Sequence, residues 1–316
     1  MPFSLGIDGG GSETDCVILD AEGAVIGEGR GGASNALRDG FPAAFDGIAR
    51  SAAEALAQSN LRPRHISGAV AGVTGAGRRS VARKLLIYMV EQFPQATVHV
   101  TTDLEIALEA ATGAGPGVVL VAGTGSAAFG RNTAGATAHA GGYGPWIADE
   151  GSAYDIGRRA VAAVARTRDC GGPVTVLAEM IASALDCPSW EDLTGRIAAN
   201  PEDVFPRIFP VVVDAAEAED STAREIFFSA ALGLSSLVMS VVRSLGLRDR
   251  EFVLAKAGGV FGRSRILEAM LDSVLRSGAP LAKISNLAVS PATGAARMAQ
   301  RLAEPRSARA AHGADD

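Results

Sequence analysis

Short apolar segments separated by turn residues make up the first third of the chain. Five of these segments have the length and composition of strands and lie at 5–8, 16–19, 24–28, 66–73 and 97–102. A Gly-Gly-Gly-Ser turn at 9–12 separates the first two strands, and apolar residues at helical spacing predict helices at 45–56 and 81–92. With a helix after the last strand, the predicted order is βββαβαβα, which indicates an α/β fold.

The same pattern begins again at Gly117. An apolar strand at 118–121 leads into a Gly-Thr-Gly-Ser turn at 123–126, and a short strand, a glycine turn at Gly135 and a strand toward Ala140 follow. A strand, a Gly-x-Gly-Ser turn, a strand, a glycine turn and a strand thus recur in one order, which indicates an internal duplication. Two similar halves that face each other would make a cleft.

The remainder of the second half is predicted to be mainly helical. A strand at 252–255 leads into Gly258 and Gly259, and a last helix begins at Pro291. We therefore predict three regions: a first domain at 1–114, a second domain at 115–303 whose helix at 291–303 could pack back onto the first, and a disordered tail at 304–316.

Composition and charge favour a small-molecule partner. The chain has 316 residues, 47% of them hydrophobic and 20% charged, which is enough for two domains with a core each. A net charge of -6 provides no basic surface for nucleic acid. No apolar run long enough for a signal peptide precedes Asp8, so we expect a cytoplasmic protein. The uncharged stretch at 226–242 is interpreted as a buried core helix and not as a membrane span.

Cysteine and histidine spacing gives no sign of a metal or disulfide framework. Cys16, Cys170 and Cys187 are far apart and form no Cys-x-x-Cys pair, and the four histidines show no metal-binding spacing. We therefore expect neither a zinc site nor an iron–sulfur cluster.

The two glycine turns have the composition of phosphate-binding loops. Each directly follows an apolar strand, where glycine lets backbone N–H groups approach phosphate, and Ser12, Thr124 and Ser126 add hydroxyl groups. A simple hairpin is the alternative for each turn. The chain has no Gly-x4-Gly-Lys-Ser/Thr motif, and the loose dinucleotide pattern at 123–128 is followed by another turn and not by a long helix.

Two further segments place carboxylates where a ligand could bind. Asp103 lies at the predicted carboxyl end of a strand, where open α/β sheets bind ligands, although it could instead cap the next helix. Residues 141–154 combine glycines, aromatic residues and the adjacent carboxylates Asp149 and Glu150 before a predicted helix. This composition suits a hydroxyl-rich ligand such as a sugar, and an ordinary loop before a capped helix is the alternative.

Taken together, these motifs resemble the N-acetylglucosamine kinases of the BadF/BcrA-type ATPase family. The matching segments occur in the family's order from residue 5 to about 302 and are GIDGGGS at 6–12, SN at 34–35, TD at 102–103, GTGS at 123–126, GGYG at 141–144, DEGSAY at 149–154, GG at 258–259 and PATGAA at 291–296. The resemblance implies two ribonuclease-H-like, actin-like domains, with ATP between them and an amino sugar deeper in the cleft.

The resemblance also implies a role for individual residues. Asp103 would be the general base on the 6-hydroxyl of the sugar, and Asp8 would help to position Mg²⁺ through water. The sugar-binding residues would be Asn35, Gly125, Gly142, Tyr143 and Asp149. The ATP-binding residues would be Gly10, Gly11, Ser12, Thr124, Gly258 and Gly259. Kinases of this type are often dimers, so we also expect a homodimer.

Some positions depart from the family pattern and leave alternatives open. Ser12 stands where threonine is usual, Tyr143 where tryptophan is usual and Ala148 where glycine is usual. The last two would adjoin the sugar, so glucosamine, N-acetylmuramic acid and an anhydro-sugar remain alternatives to N-acetylglucosamine. An activator ATPase, which would hold an iron–sulfur cluster through paired subunit cysteines, is disfavoured by the cysteine spacing. Retention of Asp103 and Asp149 disfavours a sugar-binding protein without turnover.

Overall fold

The computed structural model describes residues 2–304, which form two compact units. Unit 1 contains the described residues up to Ala114 and again from Leu287 onward, and unit 2 contains Gly115–Asn286. The helix at the end of the second predicted domain therefore belongs to unit 1. The predicted tail at 304–316 lies outside the described residues except for Glu304.

Unit 1 is a five-stranded sheet with helices on both faces. Its strands are β1 (Phe3–Gly9), β2 (Thr14–Leu19), β3 (Val25–Gly31), β4 (Ile66–Val73) and β5 (Thr97–Thr101). Its helices are α1 (Gly40–Gln58), α2 (Arg79–Gln92), α3 (Asp103–Thr112) and α10 (Pro291–Ala303), with a short 3-10 helix at Pro63–His65. The strand order is β3-β2-β1-β4-β5, antiparallel from β3 to β1 and parallel from β1 to β5.

The core of unit 1 lies on both faces of the sheet, because successive residues of a strand point to opposite faces. On one face, Ile18 packs with residues of α1 such as Ile48. On the other face, Val17 packs against Ala292 of α10. Glycine permits the close approach of α10, because a β-carbon at Gly6 would overlap the backbone of that helix.

Unit 2 repeats the strand topology of unit 1. Its strands are β6 (Gly117–Ala122), β7 (Ser126–Arg131), β8 (Thr137–Gly141), β9 (Phe252–Ala257) and β10 (Ala282–Asn286). The order β10-β9-β6-β7-β8 is the order of unit 1 read from the opposite edge, with β6, β7 and β8 antiparallel and β6, β9 and β10 parallel. The predicted α/β fold with two similar halves is confirmed. The sequence analysis did not predict β10.

Helices form most of the remaining structure of unit 2. They are α4 (Ala153–Cys170), α5 (Leu177–Ala184), α6 (Trp190–Ala199), α7 (Pro201–Glu217), α8 (Ser221–Leu245) and α9 (Arg265–Gly278). Within the described residues, α8 is the one helix with the length and hydropathy of a possible membrane span, with a mean hydropathy of 1.8. It packs into the core of unit 2 through Phe227, Leu234 and Val238, whose side chains are fully buried.

Candidate functional site

In unit 1, three parallel strands end at one edge of the sheet and bring polar residues together. Asp8 lies near the end of β1, Thr74 directly follows β4, and Asp103 follows β5. The backbone N–H of Thr74 donates to Gly9 O at 2.9 Å, and its hydroxyl donates to Asp103 Oδ2 at 2.7 Å. Thr74, which the sequence analysis did not identify, therefore connects the 9–12 turn with Asp103.

Asp103 is the first residue of α3, and it is not the residue that caps the helix. The capping residue is Thr102, whose hydroxyl accepts a hydrogen bond from Glu105 N at 3.2 Å. Besides the bond from Thr74, Asp103 accepts one from the N–H of Leu104 at 3.0 Å. The alternative interpretation of Asp103 as a helix cap is therefore wrong.

Asp8 lies among other carboxylates. Burial, together with the negative charges of Asp103, Asp15 and Glu13, raises the pKa of Asp8 from 3.8 to about 7. A bound cation would relieve this repulsion. Within residues 2–304, however, no group of three or more His, Cys, Asp or Glu side chains is placed to hold a metal ion. The carboxylates of Asp8 and Asp103 would therefore suit only a cation that keeps most of its own water ligands.

The 9–12 turn is closed by its own backbone. The N–H of Gly10 donates to Glu13 O at 2.9 Å, so this donor is already used inside the turn. Gly10 O in turn accepts a hydrogen bond from Ser34 N at 3.0 Å. Ser12 lies exposed at the surface of the turn, and Arg38 donates to the carbonyl oxygen of Gly11.

Asn35 shapes the segment that packs on this turn. Its side-chain oxygen accepts from Leu37 N at 3.1 Å, which is an Asx turn, and its backbone oxygen accepts from Asp39 N at 2.9 Å. Because Ser34 binds Gly10, the structure brings Asn35 close to the glycine turn. The predicted site residues of unit 1 that it groups together are Asp8, Gly10, Gly11, Ser12, Asn35 and Asp103.

In unit 2, the 123–126 turn and the turn after β9 are neighbours, since β6 and β9 are adjacent parallel strands. Ala122 O accepts a hydrogen bond from Val260 N at 3.0 Å. A β-carbon at Gly258 would overlap Ala122 O, and a β-carbon at Gly123 would lie 3.9 Å from Gly259 N. The exposed Thr124 therefore lies in the turn next to Gly258 and Gly259.

Asp149 is buried against the 123–126 turn. Its side chain is 3% exposed, and Oδ1 accepts a hydrogen bond from Ser126 N at 3.3 Å. Its backbone has a φ of 72°, which is uncommon outside glycine. Burial raises the pKa of Asp149, and hydrogen bonds from the N–H groups of Ser126 and Gly144 partly offset the rise. A β-carbon at Gly125 would lie 2.8 Å from Asp149 Oδ2.

The segment that joins β8 to Asp149 is anchored at one end and exposed in its middle. Gly142 N donates to Ser126 O at 2.9 Å. Tyr143 is 64% exposed, and the neighbouring Trp146 is 76% exposed. The predicted sugar-binding residues of unit 2, which are Gly125, Gly142, Tyr143 and Asp149, thus lie on two connected segments.

The helix after this segment is capped by a residue other than the two carboxylates. Ser152 caps α4 by accepting a hydrogen bond from Asp155 N at 3.1 Å. Ala153 N donates to Gly123 O at 2.8 Å, which ties the start of α4 to the glycine turn. Ser152, and neither Asp149 nor Glu150, is therefore the cap of α4.

Solved structures share the fold of this chain. A crystal structure from Chromobacterium violaceum, provisionally named an N-acetylglucosamine kinase, has a TM-score of 0.78 and 23% identity and covers 96% of this chain and 99% of its own. Residues 5–299 match the BadF/BadG/BcrA/BcrD ATPase family, and the chain belongs to that family. This confirms the resemblance found in the sequence.

Two relatives of known activity match almost the full chain. The N-acetylmuramic acid/N-acetylglucosamine kinase of Clostridium acetobutylicum is 30% identical, over 95% of this chain and 99% of the relative. The N-acetyl-D-glucosamine kinase of Dictyostelium discoideum is 28% identical, over 93% of this chain and 97% of the relative.

Proposed function

We propose that this protein is an ATP-dependent amino-sugar kinase that transfers the γ-phosphate to the 6-hydroxyl of N-acetylglucosamine. The observation that carries the proposal is the placement of Asp103, which is bound by Thr74 at the sheet edge shared with Asp8 and the 9–12 turn. The family and the activities of the two near full-length relatives support the substrate class.

In this reaction, Asp103 takes the proton of the attacking 6-hydroxyl. The hydroxyl of Thr74 donates to Oδ2 and holds the carboxylate in one orientation, so Asp103 can remain an acceptor. Phosphoryl transfer otherwise depends on positioning and on neutralising charge. Asn35, Gly125, Gly142, Tyr143 and Asp149 are the proposed sugar-binding residues.

The nucleotide is assigned to the glycine turns. Ser12 and Thr124, both exposed on their turns, are proposed to contact phosphate together with Gly10 and Gly11. Gly258 and Gly259 are proposed to lie against the adenosine. Asp8 is the proposed partner of a hydrated Mg²⁺ ion, which neutralises phosphate charge when it is bound.

The direct test is a coupled ADP-release assay with four sugars. N-acetylglucosamine, glucosamine, N-acetylmuramic acid and its anhydro form are compared at saturating ATP and magnesium, and N-acetylglucosamine is expected to give the highest kcat/KM. The 6-deoxy analogue of the best sugar should compete for binding without being phosphorylated. ATP hydrolysis that no amino sugar stimulates would contradict the proposal.

Assembly and location are part of the same proposal. We propose a cytoplasmic homodimer, because kinases of the type that the motifs resemble are often dimers. Light scattering during size-exclusion chromatography should give a mass of about twice the 32.2 kDa of one chain. A mass of one chain at micromolar concentration would refute the dimer and leave the activity untouched.

A further inference from the structure

The turn after β9 has a backbone that a ligand could approach closely. Gly258 has a φ of 102° and Gly262 a φ of 79°, so both lie in the region that favours glycine. Val260 N binds Ala122 O, which fixes the middle of the turn on the neighbouring strand. A β-carbon at Gly259 would meet nothing within 4 Å, so the backbone there faces open space. We call residues 258–262 the β9 turn.

Just before the β9 turn, a lysine side chain is buried. Lys256 is 3% exposed, and its Nζ binds Glu268 Oε2 at 3.0 Å and Asp272 Oδ1 at 2.8 Å. The two carboxylates are four residues apart on α9 and therefore share one face of that helix. A buried ammonium group requires such partners, because an unpaired charge in the interior is costly.

Glu268 also accepts hydrogen bonds from the β9 turn and from the end of β10. Its other oxygen, Oε1, accepts a hydrogen bond from the N–H of Gly262 at 2.7 Å. Asn286, at the end of β10, donates to Oε2 at 3.2 Å. Burial opposes ionisation, yet the hydrogen bonds from Gly262, Lys256 and Asn286 prevail and lower the pKa of Glu268. The carboxylate is therefore ionised at neutral pH and has a fixed orientation.

Asp272 provides a contrast within the same cluster. It binds the same Nζ, but among the described residues it forms no hydrogen bond with the β9 turn. Lys256 is thus neutralised by two carboxylates, of which Glu268 also binds the turn. Removing the contact with Gly262 would free the C-terminal end of the turn while the charge on Lys256 stayed paired.

We infer that Glu268 is a positioning residue for nucleotide binding, which holds the β9 turn in its open glycine conformation through Gly262 and is itself held by buried Lys256. The inference rests on the proposed function, in which Gly258 and Gly259 contact the adenosine. Its consequence is that ATP affinity depends on the reach of the Glu268 side chain, and not only on its charge.

Three variants separate the effect of the length of the side chain at position 268 from the effect of its charge. Glu268→Asp keeps the negative charge beside Lys256 but is one methylene shorter and cannot reach Gly262 N. Glu268→Gln keeps the reach and loses the charge, since its amide oxygen can still accept from Gly262 while its NH2 group replaces the oxygen that accepts from Lys256 and Asn286. Asp272→Asn is the matched control, because it weakens the pairing of Lys256 without removing the hydrogen bond to the turn.

The measurement is the ATP dissociation constant by titration calorimetry without sugar, together with steady-state kinetics. For Glu268→Asp we expect the Kd and KM for ATP to rise about tenfold or more, as for loss of a charged hydrogen bond. The kcat at saturating ATP and the KM for the sugar should stay within twofold. Glu268→Gln and Asp272→Asn should stay within about threefold of the wild-type Kd, even if their melting temperatures fall.

Two results would overturn the inference. One is a folded Glu268→Asp protein that binds ATP within threefold of wild type. The other is an Asp272→Asn protein that loses as much ATP affinity as Glu268→Asp, because the effect would then come from the lysine charge. Wild-type protein that binds no ATP would refute the proposed function and this inference together. Wild-type protein that binds ATP but phosphorylates no amino sugar would refute only the proposed substrate.

Discussion

At the scale of single residues, the two helix starts show how an acidic residue becomes available for chemistry. Thr102 and Ser152 cap α3 and α4, so the helices do not need Asp103 or Asp149 as caps. Each carboxylate instead accepts hydrogen bonds from a neighbouring segment, Asp103 from Thr74 and Asp149 from Ser126. For Asp103, the sequence alone left open whether it caps the helix or faces a ligand, because a cap and the residue beside it cannot be distinguished without the backbone geometry.

The first prediction concerns Asp103 as the proton acceptor. Asp103→Asn should lower kcat by about 10²–10⁴-fold, because asparagine can accept a hydrogen bond from the sugar hydroxyl but cannot take its proton. The KM for the sugar should change much less. The measurement is kcat at saturating sugar and magnesium-ATP.

Thr102→Ala is the matched control for Asp103→Asn. It removes the cap of α3 and should cost about 1 kcal/mol of unfolding free energy while kcat stays within threefold. If Asp103→Asn keeps kcat within threefold of wild type, the assignment of the base is wrong, and Asp149 becomes the next carboxylate to test.

The second prediction concerns the raised pKa of Asp8. Folded Asp8 has a pKa of about 7 against an ordinary 3.8, so the folded state binds the proton more tightly than the unfolded state does. The contribution to stability is complete below pH 3.8 and is lost as the pH rises through 7. Without magnesium and nucleotide, raising the pH from 5 to 8 should lower the unfolding free energy of wild type by about 2–3 kcal/mol relative to Asp8→Asn.

Urea unfolding of both proteins at several pH values measures this difference. A gap between wild type and Asp8→Asn that does not change from pH 5 to pH 8 would mean that the carboxyl titrates near its ordinary pKa. Repeating the series with magnesium and ATP provides a second check, because a bound cation should reduce the pH dependence.

The third prediction concerns the contact between Gly125 and Asp149. Alanine at position 125 would place its β-carbon 2.8 Å from Asp149 Oδ2, so Asp149 must move. We expect Gly125→Ala to reduce kcat/KM for the sugar by at least tenfold. In an Asp149→Ala background the same change should add little, because the two residues act through one contact. Additive losses in the double variant would show that Gly125 acts independently of Asp149.

At the scale of elements, most strands and helices near the site could be predicted from the sequence. The strand at 66–73 was predicted with its observed bounds because its residues form an apolar run. In the structure, all but one of these residues are buried. β10 was missed because only Ala282 of its five residues is buried, which leaves no alternating pattern. Pro206 and Pro210 lie inside α7, where sequence rules would break a helix.

Thr74 shows why part of the site could not be predicted. It follows β4 as an ordinary threonine and belongs to no motif. It reaches Asp103 only because β4 and β5 are parallel neighbours, and strand pairing is not visible in a single sequence. The sequence therefore indicated the candidate site residues that belong to motifs, but not the residue that orients Asp103.

The fourth prediction concerns the packing of α10 on the sheet of unit 1. A β-carbon at Gly68 would overlap the backbone of Ala299, so Gly68→Ala should lower the unfolding free energy by about 1–3 kcal/mol or more. Gly32→Ala is the control, because a β-carbon there meets nothing within 4 Å, and it should stay within about 0.5 kcal/mol. Equal stability of the two variants in urea would show that α10 can shift at little cost.

At the scale of the whole molecule, the duplication was predicted from the two glycine turns, and the two sheets share their strand order. The division of the chain is less regular than the duplication suggests. Unit 2 is one continuous segment, whereas unit 1 is built from the first 114 residues and a helix from the end of the chain. Sequence similarity of the halves carries no information on which sheet the last helix will cover.

The fifth prediction follows from this division. A fragment of residues 115–286 should fold alone, with a cooperative thermal transition, because it contains a complete sheet and its own core. A fragment of residues 2–114 should not, because Val17, Leu19 and Val70 would lose the apolar cover of α10. Circular dichroism and urea unfolding of both fragments test this. A cooperative transition in the 2–114 fragment would show that α10 is dispensable for unit 1.

The late position of α10 in the sequence also affects the order in which the two units can fold during synthesis on the ribosome. The first 114 residues leave the ribosome long before α10, and the whole of unit 2 is made in the interval. At ~5–20 residues per second this interval lasts roughly 10 to 40 s. During that time the sheet face around Gly6, Val17 and Gly68 lacks the cover of α10. The domain that is made second is thus able to finish folding first, while the nascent first domain still exposes the apolar residues that α10 covers.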